Sequence, residues 1–125
     1  MRALQFGGAT MHVLIIEDDF LTAMFLAELL ADLGFSSHDF AATEADAVAA
    51  ARRQCPDLIT ADVRLQTGSG IAAVRAICSE KRIPVIYVTA SPGEVAHLPD
   101  AIVVDKPISE FYFRIAVNAA RDLRT

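Results

Sequence analysis

Short apolar runs divide the chain at regular intervals. They cover residues 12–16, 57–61, 84–89 and 101–104 and are dominated by valine, isoleucine and leucine. Continuous apolar runs of this length are typical of parallel strands that are buried on both faces. A further run, residues 35–41, alternates only in part and is more polar, which favours a strand at the edge of a sheet.

Helical periodicity fills most of the intervals between these runs. Apolar residues recur there at spacings of three and four, as on one face of a helix. The expected helices cover residues 19–33, 44–53, 69–80 and 108–123. In the first helix, Ala23, Leu26, Leu30 and Leu33 are expected to face inward; in the last, Ile108, Tyr112, Ile115 and Ala119. The stretch 90–100 contains two prolines and a glycine, and it leaves room for two helical turns at most.

Strands and helices that alternate in this way predict an α/β fold. Parallel strands are joined by right-handed crossovers, and helices cover both faces of a doubly wound five-stranded sheet. The chain of 125 residues is long enough for one domain. We assign residues 12–124 to that domain and residues 1–11 to an N-terminal extension. Met11 stands directly before the first strand and is an alternative start of translation, so residues 1–10 are given no function.

Composition excludes several classes of function. The 11 basic and 16 acidic residues give a net charge of −5 and form no basic patch, which argues against nucleic-acid binding. No apolar run approaches the roughly 18 residues that cross a membrane, and the N-terminus is too short for a secretory signal. We therefore expect a cytoplasmic protein. Cys55 and Cys78 lack the spacing of a metal site and are expected to be free thiols.

Four of the predicted strands end at residues with a charged or hydroxyl-bearing side chain. Residues 17–19 are all acidic, Asp62 follows the third strand, Thr89 ends the fourth, and Lys106 follows the fifth. The carboxyl ends of parallel strands meet at one edge of the sheet, where open α/β folds place their binding crevice. We therefore expect these side chains to lie close together.

The expected cluster fits a metal-dependent phosphoryl site. Two carboxylates about 4 Å apart repel by roughly 4 kcal/mol at an effective dielectric constant of 20, so Glu17, Asp18 and Asp62 must protonate, move apart or bind a cation. Mg²⁺ prefers such oxygen ligands. A phosphoryl group on Asp62 adds nearly two negative charges, which Lys106 and the Thr89 hydroxyl are suited to hold. Each residue alone has an ordinary explanation, as a solvated acidic loop, an exposed lysine or a strand-forming threonine. Only the combination of these residues predicts a phosphoryl site.

The same residues resemble the receiver domain of two-component response regulators over positions 12–124. The resemblance includes the first strand with its acidic pair, and an acceptor aspartate 44 residues after Asp18. It also includes a glycine eight residues past the acceptor, a hydroxyl residue that precedes a small one, and a lysine followed by a typically cis proline. The matching residues are Glu17, Asp18, Asp62, Gly70, Thr89, Ala90, Lys106 and Pro107.

The resemblance implies a flavodoxin-like three-layer fold with strand order 2-1-3-4-5. It also implies that Glu17, Asp18, Asp62 and the backbone carbonyl of Arg64 bind Mg²⁺, with no other cofactor. Asp62 would become a 4-aspartylphosphate, with Thr89 and Lys106 as catalytic groups. The phosphoryl donor would be a sensor histidine kinase or a histidine phosphotransfer protein, and the downstream protein is unknown.

Family likeness extends to the surroundings of the acceptor. Side chains at the positions of Arg64 and Ser91 tune hydrolysis of the acyl phosphate in the family. Contacts with the kinase usually involve the first helix, so Phe20, Leu21 and Met24 are candidates, with core packing as the alternative explanation. A receiver catalyses its own phosphorylation and dephosphorylation, so we expect no turnover enzyme. The chain ends directly after the last helix, which we expect to indicate a stand-alone receiver, with a receiver cut from a larger protein as the alternative.

Three features depart from the family. The proline usually found four residues past the acceptor is Gln66, and the aromatic switch position is Val103. Only 16 residues separate Thr89 from Lys106, so the fourth helix of the family is expected to be shortened or absent. We therefore hypothesise that phosphorylation is intact while the signal is read out differently.

Other interpretations stay open. The departures support a degenerate receiver that acts only as an interaction module, and an Asp62→Ala change without effect in the cell would favour it. A phosphatase of the haloacid dehalogenase type needs Asp-x-Asp at the first strand and usually a larger chain. A flavodoxin-like cofactor binder lacks support, because an acidic triplet stands where a phosphate-binding loop would follow the first strand.

Overall fold

Strands and helices alternate along the chain as the pattern predicts. The computed structural model describes residues 10–79 and 81–124, so most of the N-terminal extension lies outside the described residues. The strands are β1 (His12–Ile16), β2 (Ser37–Ala41), β3 (Leu58–Ala61), β4 (Val85–Thr89) and β5 (Ile102–Asp105). The helices are α1 (Phe20–Asp32), α2 (Glu44–Arg53), α3 (Gly70–Ile77) and α4 (Glu110–Arg124). Helix α3 is shorter than the predicted 69–80, because Ser69 caps its start and Cys78 its end.

The five strands form one parallel sheet in the order β2-β1-β3-β4-β5, which confirms the expected α/β fold. The polar strand β2 lies at an edge, as its composition predicted. The order reverses between β1 and β3, which are hydrogen-bonded neighbours in the sheet. Their register pairs Ile16 with Ala61, so the residues that follow, Glu17 and Asp62, leave the sheet side by side.

Apolar side chains fill two core layers, one on each face of the sheet. Val13 and Ile15 of β1 pack with α1 and α4, whereas Leu14 and Ile16 pack with α2 and α3. Because successive residues of a strand point to opposite faces, a strand buried on both sides must be apolar throughout. Residues 13–16 of β1 are apolar and buried accordingly, and the buried His12 at the start of the strand has its ring nitrogens at hydrogen-bond distance from Ser37 and Asp39.

The prediction for the inward face of the last helix was wrong for three of its four residues; the fourth, Ile108, lies just before α4 and packs against the core. Tyr112 and Ile115 are exposed to 65% and 51%, and Ala119 is exposed as well. The buried face consists of Phe113, Ala116, Val117 and Ala120. Both sets repeat at helical spacing, so the periodicity alone could not choose between neighbouring stripes. The fully buried Phe113 ring packs among the side chains of the core layer that α1 shares, and this packing selects the observed stripe.

The connection between β4 and β5 contains only a short 3-10 turn, Pro92–Glu94. This finding confirms that the fourth helix of the family pattern is reduced to a turn. Val95, directly after the turn, is completely buried against Tyr87 and the α3 side of the core. Within the described part of the chain, no helix has both the length and the apolar character needed to cross a membrane.

Gly70 offers a test of how tightly the acceptor loop is packed. A Cβ atom at this position would lie 1.8 Å from the backbone carbonyl oxygen of Asp62, which is a clash that only a backbone shift relieves. We expect Gly70→Ala to lower the free energy of unfolding by about 1–3 kcal/mol, as overpacking usually does. Urea denaturation measures the change.

Gly93→Ala is the matched control, because a Cβ there meets nothing within 4 Å. It should leave the unfolding midpoint close to that of the unchanged protein. Equal midpoints for the two variants would show that the acceptor loop accommodates the extra methyl group.

Candidate functional site

The carboxyl edge of the sheet brings the predicted polar residues together. Backbone hydrogen bonds continue the sheet beyond the ends of its strands: the N–H of Glu17 donates to Ala41 O and that of Asp62 to Ile16 O, each at 2.9 Å. The N–H of Lys106 donates to Thr89 O at 3.0 Å. The sheet itself therefore fixes the backbones that carry these side chains.

Lys106 joins two buried carboxylates. Its Nζ atom lies 2.8 Å from Oε1 of Glu17 and 2.9 Å from Oδ2 of Asp62. Glu17 and Asp62 retain only 4% and 8% of their accessible surface. Burial raises the pKa of Glu17, although the Lys106 hydrogen bond opposes this effect. Burial also lowers the pKa of Lys106, but its hydrogen bonds to the two carboxylates outweigh burial and raise the pKa overall.

Three carboxylates meet beside this lysine. One oxygen each from Glu17, Asp18 and Asp62 lies within 4.8 Å of the other two. Such a spacing leaves room for a hard divalent cation between oxygen ligands. The residues present thus fit Mg²⁺. The backbone carbonyl of Arg64 stays a predicted fourth ligand, and the Arg64 N–H donates to Oδ1 of Asp62 at 3.3 Å.

Asp18 is held differently from the other two acids. Its Oδ2 atom accepts a hydrogen bond from the backbone N–H of Gln66 at 2.7 Å. The sequence marks Gln66 only as a departure from the family pattern and does not predict this contact. The available signal was the absence of proline, because only a non-proline residue carries an N–H at this position.

Thr89 lies at the end of β4 and is almost fully buried. Its hydroxyl oxygen accepts a hydrogen bond from the N–H of Ser91 at 2.9 Å. A hydroxyl can accept and donate at once, so the Thr89 proton remains suited to an anionic oxygen at the sheet edge.

Arg64 and Glu94 form an ion pair that the sequence did not reveal. Nε of Arg64 lies 2.8 Å from Oε2 of Glu94, which belongs to the turn between β4 and β5. The hydrogen bond raises the pKa of Arg64 and lowers that of Glu94. Both side chains are exposed, so the pair adds little to stability. It nevertheless connects the loop after Asp62 to the short turn.

An apolar surface borders the site. Phe20, Leu21 and Met24 are exposed to 69%, 76% and 42%, which excludes core packing as their role. Beside them lies a shallow cavity of about 280 Å³ lined by Leu21, Thr22, Phe25, Lys106, Pro107 and Ile108.

The peptide bond between Lys106 and Pro107 is cis, as the resemblance implied. Cys55 and Cys78 are free thiols, as expected.

Comparison with known proteins agrees with this geometry. The response regulator receiver domain matches residues 13–107. The phyllosphere-induced regulator PhyR of Methylorubrum extorquens is 42% identical over 83 residues, which are 65% of this chain and 31% of PhyR. The chain thus spans about a third of the length of that relative.

Solved structures show the same architecture. The PhyR receiver domain of Erythrobacter litoralis is 32% identical, with a TM-score of 0.81 over 92% of both chains. A CheY-like receiver domain of Methylobacillus flagellatus is 26% identical, with a TM-score of 0.77 over 90% of this chain and 99% of its own. The sequence match and the shared fold lead to one conclusion: the chain belongs to the response regulator receiver domain family.

Proposed function

We propose that the protein is a phosphorylation-dependent signalling receiver that accepts a phosphoryl group on Asp62. The observation that carries this proposal is the bridge of Lys106 between Asp62 and Glu17, with Asp18 beside them. A lysine held at a buried carboxylate neutralises the charge that a phosphoryl group would bring. A solvated acidic loop without a binding function would not need the Lys106 ammonium group between its carboxylates.

The transfer step needs positioning and charge neutralisation rather than elaborate chemistry. A carboxylate oxygen of Asp62 attacks the phosphorus of a phosphohistidine. The new O–P bond forms as the P–N bond breaks, and the electron pair returns to the imidazole nitrogen. Lys106 holds one phosphoryl oxygen, and the Thr89 hydroxyl donates to another. The N–H of Arg64, already at Oδ1 of Asp62, supports the acceptor.

Glu17, Asp18, Asp62 and the Arg64 carbonyl would hold Mg²⁺. When bound, the ion supplies positive charge that offsets the oxygens of the transferred group. Asp18 is half-buried and faces the loop, whereas Glu17 is deeply buried. Asp18 is therefore the better direct ligand, and Glu17 fits a supporting place beside Lys106.

A sensor histidine kinase or a histidine phosphotransfer protein is the proposed donor. The exposed side chains of Phe20, Leu21 and Met24 lie on α1 next to the acceptor edge, where a donor histidine must approach. We further propose that the protein acts in the cytoplasm and performs no turnover chemistry. Its downstream protein would recognise the phosphorylated form.

A degenerate receiver that only binds partners is the second candidate. Val103 provides no aromatic switch, and the turn Pro92–Glu94 replaces a helix. Both features alter the output side of the molecule and leave Asp62, Lys106 and the acids in place. Phosphorylation assays separate the two candidates directly.

Replacement of Asp62 tests the acceptor. With Mg²⁺ and phosphoramidate, the unchanged protein should gain the mass of one phosphoryl group, and Asp62→Asn should gain none, because the nucleophile is absent. Intact-protein mass spectrometry measures the product. Asp32→Asn, which removes an exposed acid at the far end of α1, should label like the unchanged protein. Equal labelling of Asp62→Asn, or no labelling of any form, would contradict the assignment.

Replacement of Asp18 tests the metal ligands. At about ten times its dissociation constant, Mg²⁺ adds about 1.4 kcal/mol to the free energy of unfolding of a protein that binds it. The melting temperature of the unchanged protein should therefore rise by about 5 °C, given the usual scaling for domains of this size. Asp18→Asn should lose most of that rise in differential scanning calorimetry.

Asp19→Asn removes the same charge from the neighbouring residue and provides the control. Asp19 caps α1 through the N–H of Thr22, and asparagine caps a helix equally well. This variant should keep the response to Mg²⁺. An equal loss in both variants would indicate a general charge effect rather than ligation by Asp18.

A further inference from the structure

The loop after Asp62 contacts Asp18 through its backbone. The N–H of Gln66 donates to Oδ2 of Asp18 at 2.7 Å, although the two residues are 48 positions apart in the chain. The Gln66 side chain is exposed. The contact therefore depends on the presence of a backbone N–H at position 66 and not on the amide side chain.

Among the described residues, the side chain of Asp18 accepts a hydrogen bond from this one donor, whereas the side chains of Glu17 and Asp62 each accept from two. Lys106 contacts Glu17 and Asp62, and Asp62 also accepts from the N–H of Arg64. A half-buried carboxylate that lacks such support would sample several rotamers. A charge-assisted hydrogen bond of 2.7 Å restricts that freedom and leaves the second oxygen and further lone pairs open to a cation.

Contacts with the start of α2 hold the segment that follows the Gln66 N–H. The N–H of Ser69 donates to Oε1 of Glu44 at 3.2 Å, and the N–H of Glu44 donates to Thr67 O at 3.3 Å. Gly68 has a φ of 86° and lies so close to Glu44 that a Cβ would approach its side chain to 2.6 Å. The start of α2 thus anchors the segment that follows Gln66.

We propose that the Gln66 N–H is a positioning group that presets Asp18 for Mg²⁺. The inference rests on the proposed metal site and adds a residue to it. Hydrogen bonds to a ligating carboxylate commonly change metal affinity by about 10–100-fold. Proline, which usually occupies this position in the receiver domains that the chain resembles, has no N–H to donate. The contact is thus available to this chain and not to a receiver with proline there.

A pair of substitutions at one position tests the proposal. Gln66→Pro removes the N–H, whereas Gln66→Ala removes the side chain and keeps the N–H. In titrations with Mg²⁺ followed by the NMR shifts of backbone amides, Gln66→Pro should bind about tenfold more weakly than Gln66→Ala. Gln66→Ala should bind like the unchanged protein. Equal dissociation constants for the two variants would overturn the proposal.

Unfolding without metal shows whether proline acts through Asp18 or through a distorted loop. We expect urea denaturation to give a several-fold smaller equilibrium constant for folding with Gln66→Pro than with Gln66→Ala. In an Asp18→Ala background the acceptor is gone, and the difference should disappear. A difference of the same size in that background would overturn the proposal.

Mg²⁺ binding by the unchanged protein tests the metal site separately from the role of Gln66. If the unchanged protein binds no Mg²⁺, both the metal site and the role of Gln66 are wrong. If the unchanged protein and both Gln66 variants bind Mg²⁺ equally well, only the role of Gln66 is wrong.

Discussion

Electrostatic repulsion among carboxylates at the edge of the sheet is the constraint on which the site depends. Glu17 and Asp62 are both almost fully buried, and Asp18 lies within 4.8 Å of them. Carboxylates this close favour protonation, separation or a cation. Lys106 supplies one permanent cation for two of them, and the third carboxylate is turned toward the N–H of Gln66. The arrangement leaves excess negative charge, which is what a binding site for a divalent cation requires.

The loop between β3 and α3 fixes the positions of the carboxylates of Asp62 and Asp18. Gly70 packs against the carbonyl of Asp62 at a distance that excludes any side chain, and Glu44 holds the backbone at Ser69. The N–H groups of Arg64 and Gln66 then meet the carboxylates of Asp62 and Asp18. Backbone groups cannot rotate away as long side chains can, so preorganisation here needs little further loss of entropy.

The region between β4 and β5, on one side of the acceptor Asp62, departs from the family pattern. A short turn stands where a helix is expected, and Val103 offers no aromatic ring. Yet this region remains physically connected to the acceptor loop, because Arg64 pairs with Glu94 and the neighbouring Val95 is buried in the core. The turn and Val103 therefore belong to the β4–β5 side of the site, whereas the acids, Thr89 and Lys106 lie together at the sheet edge as the proposed phosphoryl transfer needs.

The order of apolar and polar positions determined the α/β fold, the edge position of β2 and the residues at the strand ends. These features follow from continuous apolar runs, from the helical period of 3.6 residues and from the rule that parallel strands end at one edge of the sheet. All three are local or topological. Only the tertiary structure decided which stripe of α4 is buried, because Tyr112 and Phe113 lie on adjacent stripes of similar apolar character. It also decided the contacts of Gln66 with Asp18 and of Arg64 with Glu94. Such contacts join segments that are distant in the chain, and a backbone N–H leaves no signature in the sequence except where proline removes it.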